Sequence, residues 1–275
     1  MGIEDKLKNP LIGIIGGTGT MGSWFADVCE SQGYRVLRVG RKTKITAEQA
    51  AKECDVVVIS VPISVTYEII KKIGPLISKD SLFMDLTSVK KMPVEAMLKY
   101  SDAEVEVVGL HPLFGVDIDH KQAKKVAICN GRGEYGKRWV SELLSRTGFE
   151  VIFLDPDEHD RIMGIVQGIN HFETICLAHR IKEAGMSWDE IEKASTQTFM
   201  KKLVRIKRLF SQEPELFASL LMDNEWSLRY IDLYIKDAKK LFDILSKKDR
   251  DNFEKEFLSI KQFIKRGIQD EGDMG

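Results

Sequence analysis

The stretch LIGIIGGTGTMG, residues 11–22, decides the fold of this chain. It opens with a short apolar run, typical of a buried strand, and Gly17, Gly19 and Gly22 follow with the spacing Gly-x-Gly-x-x-Gly. A helical pattern comes next, and residues 35–39, RVLRV, are predicted to form a second strand. A glycine turn that joins a strand to a helix is the pattern of a dinucleotide-binding fold, in which the helix N-terminus meets the phosphates.

Strands and helices alternate through the first half of the chain. The strongest strand signal is the β-branched run at residues 55–61, and the last predicted strand ends at residue 154. This alternation predicts βαβ units and a mostly parallel sheet. From Asp155 the pattern is helical almost to the end, and it starts with an N-cap, a proline and two acids. We therefore predict an α/β Rossmann-type domain over residues 1–155 and an all-α domain over residues 156–275.

Composition and charge argue against several classes of protein. Lys plus Arg number 41 and Asp plus Glu number 42, whereas a dedicated nucleic-acid binder would usually be basic. The four cysteines are scattered and lack partner histidines at ligand spacing, so we expect reduced thiols and no metal site. No apolar run is long enough to span a bilayer, and the N-terminus lacks the apolar core of a signal peptide. We expect a cytoplasmic protein with neither a membrane nor a nucleic-acid partner.

The turn after the second strand bears on the choice between NAD and NADP. An NAD enzyme usually carries an acid there, which binds the ribose 2′-hydroxyl. This turn reads GRKT at residues 40–43, and no acid occurs between Glu30 and Glu48. Arg41 can pair with a 2′-phosphate, with Lys42 as a second charge beside it, so we expect NADP in preference to NAD. The residues expected to contact the cofactor are Gly17, Gly19, Thr20, Met21, Gly22, Arg41, Lys42, Ser60, Val61 and Pro62.

Polar residues follow three of the predicted strands, where ligands bind in such folds. They lie in SVP at residues 60–62, in DLTSVK at residues 85–90 and in GLHPLFG at residues 109–115. His111 stands between a strand and a proline-containing turn, which should hold it rigidly. Because a histidine can exchange a proton with a hydroxyl at neutral pH, His111 is the candidate catalytic residue.

The segment GLHPLFG resembles the G-x-H-P-M-F-G signature of the prephenate dehydrogenases, with Leu113 in place of Met. DLTSVK resembles the loop that precedes this signature in the family. His-Asp at residues 159–160 and QGINHF at residues 167–172 resemble the first helix of the family's second domain. RIKRLF at residues 205–210 resembles its substrate-binding arginine segment, and the resemblance covers nearly the whole chain.

This resemblance implies an oxidative decarboxylation in tyrosine biosynthesis. Hydride leaves C4 of prephenate for the nicotinamide, carbon dioxide leaves C1, and the ring becomes that of 4-hydroxyphenylpyruvate. By this similarity His111 should accept the hydrogen bond of the C4 hydroxyl and stabilise the positive charge that develops at C4, and Ser88 should orient His111. That role for His111 agrees with general-base chemistry derived from the residues alone.

The predicted second domain should recognise the substrate anion. Lys201, Arg205 and Arg208 fall at i, i+4 and i+7, so they share one face of a helix. From the pattern alone, a solvated helix face explains these charges equally well. The resemblance points to Arg208 as a bidentate clamp for a substrate carboxylate. A second carboxylate contact is open among Arg205, Lys201 and Lys202.

One face of the helix after Asp155 carries small and polar residues. Gly164 and Gly168 lie there at a cost of about 1 kcal/mol each, which indicates close approach to another backbone. We expect that backbone to belong to the nucleotide domain, which would place His171 in the cleft beside the substrate or the nicotinamide. The pattern leaves His159 open between a helix cap and a cleft residue.

Several alternatives stay open. Arogenate differs from prephenate by an amine in place of the keto group, and no residue separates the two substrates. Another dehydrogenase or reductase of the same architecture, such as a 3-hydroxyacid dehydrogenase, would usually have a lysine on the first helix of the second domain, which here has none before Lys182. A nucleotide-sensing protein without catalysis would have lost His111 or Ser88, and both are present. The resembled family forms dimers through its second domain, so a homodimer is expected.

Overall fold

One seven-stranded sheet dominates the first half of the chain. The computed structural model describes residues 2–115 and 124–272, with side chains to residue 266, so Ala123, assigned by the sequence to a strand, lies outside it. The strands are β1 (Leu11–Ile15), β2 (Arg35–Val39), β3 (Val56–Ile59), β4 (Leu82–Asp85), β5 (Glu106–Pro112), β6 (Lys124–Arg132) and β7 (Phe149–Leu154).

Helices connect the strands and make up the rest of the chain. Those of the first half are α1 (Ile3–Lys6), α2 (Thr20–Ser31), α3 (Ala47–Glu53), α4 (Ile63–Ile73), α5 (Lys91–Tyr100) and α6 (Tyr135–Arg146). Those after β7 are α7 (Pro156–Met163), α8 (Asn170–Lys182), α9 (Trp188–Lys193), α10 (Gln197–Phe210), α11 (Pro214–Met222), α12 (Glu225–Ser246) and α13 (Arg250–Gly272). A π-helical segment, Gly164–Ile169, lies between α7 and α8.

The strand order is β2-β1-β3-β4-β5-β6-β7, and every neighbouring pair is parallel except β5 with β6. The prediction of a Rossmann-type, mostly parallel sheet is therefore confirmed. The chain leaves β1 in one direction for β2 and returns on its other side to form β3. Such a reversal opens a crevice at the carboxyl ends of the two central strands, and ligands bind there in folds of this type.

The core explains why these strands form. Successive residues of a strand point to opposite faces, so Val56 and Val58 enter one apolar cluster while Val57 and Ile59 enter the other. All four side chains are fully buried, as expected for a parallel sheet covered by helices on both sides. Continuous β-branched runs fit such strands because both faces are apolar.

Three helices and the end of one strand differ from the elements predicted from the sequence. Helices α1, α5 and α6 do not appear among the predicted elements. The strand before His111 is predicted to end at Leu110, but β5 continues through Pro112. The antiparallel neighbour β6 extends it, because His111 pairs with Ala127 and Pro112 with Val126.

The prediction that the chain becomes helical after residue 154 is confirmed. The side chain of Asp155 caps α7 by accepting a hydrogen bond from the Asp157 amide, and Pro156 occupies the first helical position. Ser187 and Glu190 form a capping box at the start of α9. Within the part that the structure describes, no helix is long and apolar enough to cross a membrane.

The chain divides into two compact units, Met1–Leu228 and Arg229–Gly275. The first contains the sheet and helices α1 to α11. The second is built from most of α12 and from α13, and many of its large apolar side chains are exposed, including Phe242, Phe257 and Phe263. The domain boundary near residue 155 stays a prediction about how the chain is organised.

Candidate active site

The glycine loop after β1 packs too tightly for side chains at several positions. A Cβ atom added at Gly22 would lie 2.4 Å from the Gly16 carbonyl oxygen, so this glycine lets α2 pack against the turn. Gly16 itself was not singled out from the sequence, yet it has φ +88°. A Cβ atom there would lie 1.9 Å from the carbonyl oxygen of Ser60. The ends of β1 and β3 therefore meet backbone to backbone, which brings residues 60–62 beside the glycine loop.

A cavity of about 450 Å³ opens next to this loop. Its walls join the loop to the GLHPLFG segment, and they are formed by Thr18, Gly19, Thr20, Met21, Ser23, Trp24, Asp27, Phe114 and Gly115. Helix α2 starts at this cavity with Gly19 as its N-cap, and its first turn carries no acid. A helix N-terminus without acidic side chains suits a pyrophosphate, so the residues present fit a dinucleotide.

The turn after β2 presents its basic side chains to solvent. The Thr43 hydroxyl closes the turn, 2.9 Å from the Gly40 amide and 2.8 Å from its carbonyl oxygen, and it leaves Arg41 and Lys42 exposed. Arg38, at the end of β2, pairs instead with Asp27 and Glu30 on α2. The side chains of Arg41 and Lys42 are therefore accessible to a ligand.

His111 lies at the end of β5 with 3% of its surface exposed. Its Nδ1 atom is 2.8 Å from Nε2 of His159, and the Nδ1 atom of His159 is 2.8 Å from Oδ1 of Asp160. On the other side of the ring, Nε2 of His111 is 3.4 Å from the amide nitrogen of Gln167. His159 is fully buried. The question left open by the sequence is thus answered: His159 is the partner of the candidate catalytic histidine.

Asp160 anchors this chain of hydrogen bonds. Its two carboxylate oxygens accept the backbone N–H groups of Lys90, at 2.8 Å, and Lys91, at 3.0 Å, where α5 begins. A helix N-terminus favours negative charge, so Asp160 acts as an acceptor and His159 donates from Nδ1. It follows that Nε2 of His159 accepts and that Nδ1 of His111 donates. This pattern assigns the lone pair of His111 to Nε2, the atom that faces Gln167.

A buried ion pair lies behind the ends of β4 and β5. Nζ of Lys90 is 2.5 Å from Oδ2 of Asp85 and donates to the Leu110 carbonyl oxygen at 2.8 Å, and both charged side chains are fully buried. The hydroxyl of Thr87 also donates to Asp85. DLTSVK therefore contributes a structural network beneath the site, a role that the sequence analysis did not assign to its lysine and aspartate.

Ser88 belongs to the same loop and is partly exposed. Among the described residues the ring nitrogens of His111 contact His159 and Gln167, and Ser88 is not a hydrogen-bond partner of either nitrogen. The buried side chain of His159 takes the orienting position that the resemblance assigns to Ser88. A contact between Ser88 and substrate stays a prediction.

The surroundings keep the histidines of the site neutral. Burial lowers the pKa of His111 well below its ordinary value of 6.5, and the charges of His159 and Lys90 lower it further. Burial also lowers the pKa of His159, although its hydrogen bond to Asp160 acts in the opposite direction. The pKa of His171 is lowered by burial and by the charge of Arg205. A neutral His111 can accept a proton at physiological pH.

These lowered pKa values predict that the protein loses stability on mild acidification. In the unfolded chain each histidine regains a pKa of about 6.5, so below that pH the unfolded state binds more protons than the folded state. The free energy of unfolding should therefore be fully maintained above that pH and fall as the pH drops through the lowered folded-state values. Urea unfolding at a series of pH values checks this, with exposed His179→Asn as the control that leaves the slope unchanged. A stability that rises on acidification from neutral pH would contradict the assignment.

The predicted substrate-binding arginine lies close to the GLHPLFG segment. A Cβ atom added at Gly115 would be 3.1 Å from Nη2 of Arg208, so its guanidinium reaches the end of that segment. Arg205 instead donates to Oδ1 of Asn170 at 2.8 Å, and Lys202 pairs with Glu173 at 3.3 Å. Lys201 is exposed on the same helix. Among the described side chains of α10 discussed above, Arg208 is thus the one that reaches the GLHPLFG segment, and its contact with substrate stays a prediction.

The prediction for the glycine-bearing face of the helix after Asp155 was wrong in one respect. Gly168 approaches a backbone closely, as expected, but that backbone is at the start of α12 and not in the nucleotide domain. A Cβ atom added at Gly168 would lie 2.7 Å from Oγ and 3.0 Å from Cα of Ser227. His171 is partly buried, and its ring lies edge-on against Phe217 with 5.1 Å between the ring centres.

Comparison with known proteins extends this picture to the whole chain. Residues 26–129 match the family model of the prephenate dehydrogenase nucleotide-binding domain, and residues 155–259 match that of the prephenate dehydrogenase dimerization domain. A probable arogenate/prephenate dehydrogenase of Methanocaldococcus jannaschii is 32% identical over 267 residues, which cover 91% of this chain and 60% of that protein. The T-protein of Haemophilus influenzae is 30% identical over 251 residues, which cover 91% of this chain and 66% of that protein.

The chain therefore spans 60% and 66% of the lengths of these two relatives. Among solved structures, the prephenate dehydrogenase from A. aeolicus in complex with hydroxyphenyl propionate and NAD⁺ is similar, with a TM-score of 0.69. The match covers 94% of this chain and 98% of that one at 20% identity, so it supports the fold alone.

Proposed function

Because this chain belongs to the prephenate dehydrogenase family, we propose that it converts prephenate to 4-hydroxyphenylpyruvate, carbon dioxide and a reduced nicotinamide cofactor. The observation that carries the proposal is the chain of hydrogen bonds from Asp160 through His159 to His111. It ends on the Nε2 atom of His111, which belongs to the same segment as Phe114 and Gly115, two residues that line the cavity beside the glycine loop. A ring nitrogen of this kind can accept a hydrogen bond from a substrate hydroxyl.

The reaction needs a hydrogen-bond acceptor at the C4 hydroxyl and an anchor for a dianion. The bound nicotinamide supplies the acceptor for the hydride that leaves C4. His111 accepts the O–H hydrogen bond as positive charge develops at C4, and His159 and Asp160 stabilise that charge on the far side of the ring. The bond from C1 to its carboxylate then breaks, its electron pair completes the aromatic ring, and the hydroxyl hydrogen stays on the phenol. We propose that Arg208, whose guanidinium reaches the GLHPLFG segment, clamps a substrate carboxylate.

A direct assay tests this function. The purified chain is incubated with prephenate or arogenate and with NADP⁺ or NAD⁺, while the reduced nicotinamide is followed by absorbance and the keto acid or tyrosine by chromatography. We expect turnover with prephenate. Preferential turnover of arogenate would identify arogenate as the substrate in place of prephenate. No turnover of either compound would contradict the proposed function.

We propose NADP⁺ as the preferred cofactor because Arg41 and Lys42 are exposed in the turn after β2. This turn lacks the acidic residue that usually binds the ribose 2′-hydroxyl of NAD⁺. Replacing both with serine should weaken NADP⁺ binding by about tenfold to a hundredfold, since hydrogen bonds to a charged group contribute about 1.5–3 kcal/mol. NAD⁺ binding should not change, because NAD⁺ lacks the 2′-phosphate. Fluorescence titration with both cofactors measures this. Lys52→Ser, which removes a charge from α3, is the control, and equal losses for both cofactors would contradict the assignment.

We also propose that the chain forms a homodimer through its helical region. The match of residues 155–259 to a dimerization domain supports this, as do the exposed apolar side chains of the second unit. Light scattering should give twice the mass of 31.3 kDa. A monomer at micromolar concentration would contradict it.

A further inference from the structure

The π-helical segment Gly164–Ile169 places one side chain against the catalytic histidine. Single π-helical turns are rare and are frequently found at functional sites. Here the wide turn carries Gln167, whose amide nitrogen lies 3.4 Å from Nε2 of His111. Gly168 packs on the backbone of Ser227, which fixes the segment in place. The close packing of Gly168, the next residue, therefore helps to set the position of Gln167.

The hydrogen-bond pattern determines which end of the amide faces His111. Because Nε2 of His111 carries a lone pair, the group opposite it must be a donor, which is the NH₂ group of Gln167. The separation of 3.4 Å is longer than the usual 2.9–3.0 Å of an N–H hydrogen bond, so this contact is loose. Gln167 is only partly buried, so a ligand can reach it.

Two nitrogen atoms 3.4 Å apart can be bridged by one oxygen atom. A hydroxyl oxygen at about 2.8 Å from both nitrogens would complete a triangle with the two protein atoms. It would donate its hydrogen to His111 and accept a hydrogen from Gln167, so every group in the triangle would be satisfied. A ligand without an oxygen at that point would leave His111 and Gln167 in contact with each other.

We propose that Gln167 is a substrate-contacting residue that recognises the C4 oxygen by donating its amide N–H to it. This inference rests on the proposed function, in which His111 accepts the hydroxyl hydrogen. The donation orients the hydroxyl so that its hydrogen faces Nε2 of His111. Gln167 thereby selects ligands that carry a hydrogen-bond acceptor at C4, and after the reaction it holds the phenol oxygen of the product.

Binding of two inert ligands tests this without turnover. 4-Hydroxyphenylpropionate and 3-phenylpropionate differ only in the oxygen that Gln167 is proposed to contact. Their dissociation constants are measured by calorimetry in the presence of cofactor for the wild-type protein, for Gln167→Leu and for Gln167→Met. The control is Gln197→Leu, which removes an exposed amide at the start of α10.

The wild-type protein should bind the hydroxylated ligand more tightly. In both Gln167 variants this preference should shrink by about threefold to tenfold, the usual contribution of one neutral hydrogen bond. Affinity for 3-phenylpropionate and for the cofactor should not change, and Gln197→Leu should behave as wild type. Gln167→Met keeps an unbranched side chain of similar length. It can therefore be measured in place of Gln167→Leu if the leucine variant does not fold.

Failure of this inference is distinguishable from failure of the proposed function. If the wild-type protein oxidises prephenate and the Gln167 variants keep the full preference for the hydroxylated ligand, Gln167 does not contact the oxygen and only the inference is overturned. If the wild-type protein neither oxidises prephenate or arogenate nor distinguishes the two ligands, the proposed function and the inference both fall.

Discussion

Replacing His111 with asparagine should lower kcat by about 10²- to 10⁴-fold, the usual contribution of a positioned acid or base. Asparagine fits the buried space and can still hydrogen-bond to His159, so the fold should be retained. Its amide cannot take up positive charge as an imidazole does, and the C4 hydroxyl would lose its acceptor. Cofactor affinity should stay near that of wild type, because the cavity beside the glycine loop is lined by other residues.

Steady-state kinetics with prephenate and a cofactor titration separate these two effects. His179→Asn is the matched control, because this histidine is exposed on α8 and its loss should change neither quantity. A variant His111→Asn with normal kcat would remove His111 from the mechanism. A variant that loses cofactor binding would instead place His111 in the nucleotide site.

The second large effect is on stability. Lys90→Met should lower the free energy of unfolding by about 3–5 kcal/mol, the usual cost of removing one partner of a buried ion pair. The loss arises because the carboxylate of Asp85 would stay in the interior without its cation, and the Leu110 carbonyl would lose its donor. Methionine has nearly the same length, so packing alone should change little.

Urea unfolding measures this cost, and two further variants identify its origin. The double variant Asp85→Asn with Lys90→Met removes both charges and should recover much of the loss. Lys91→Met is the control in the neighbouring position: this lysine pairs with Asp157 and Glu225 at a partly exposed site, so its loss should cost at most about 1 kcal/mol. Equal costs for Lys90→Met and Lys91→Met would contradict the buried pair.

The parts of the site that depend on local pattern were predictable from the sequence. The glycine turn is recognisable because its strand, its spacing and its helix lie within about twenty residues, and β3 because four β-branched or aliphatic residues form one buried run. The position of His111 at the carboxyl edge of the sheet follows from the same alternation of strands and helices.

Contacts between distant segments were not predictable in this way. His159 lies 48 residues from His111 and Gln167 lies 56 residues away, and no periodicity links either of them to that strand. The π-helical segment also escaped prediction, because its glycines and apolar residues fit an ordinary helix equally well. Lys90 resembles any loop lysine in the sequence, and only the tertiary structure shows it fully buried beside Asp85.

The two roles of Asp160 affect what its presence means in related chains. Its single carboxylate accepts hydrogen bonds from two backbone amides at the start of α5 and from the Nδ1 atom of His159. Selection for folding alone would preserve this aspartate, because removing a helix cap typically costs about 1 kcal/mol. A descendant that abandoned the reaction can therefore keep Asp160 long after His111 has drifted. The presence of this aspartate therefore indicates only that the fold was inherited. The presence of His111 is the better indication that the chain still catalyses the reaction.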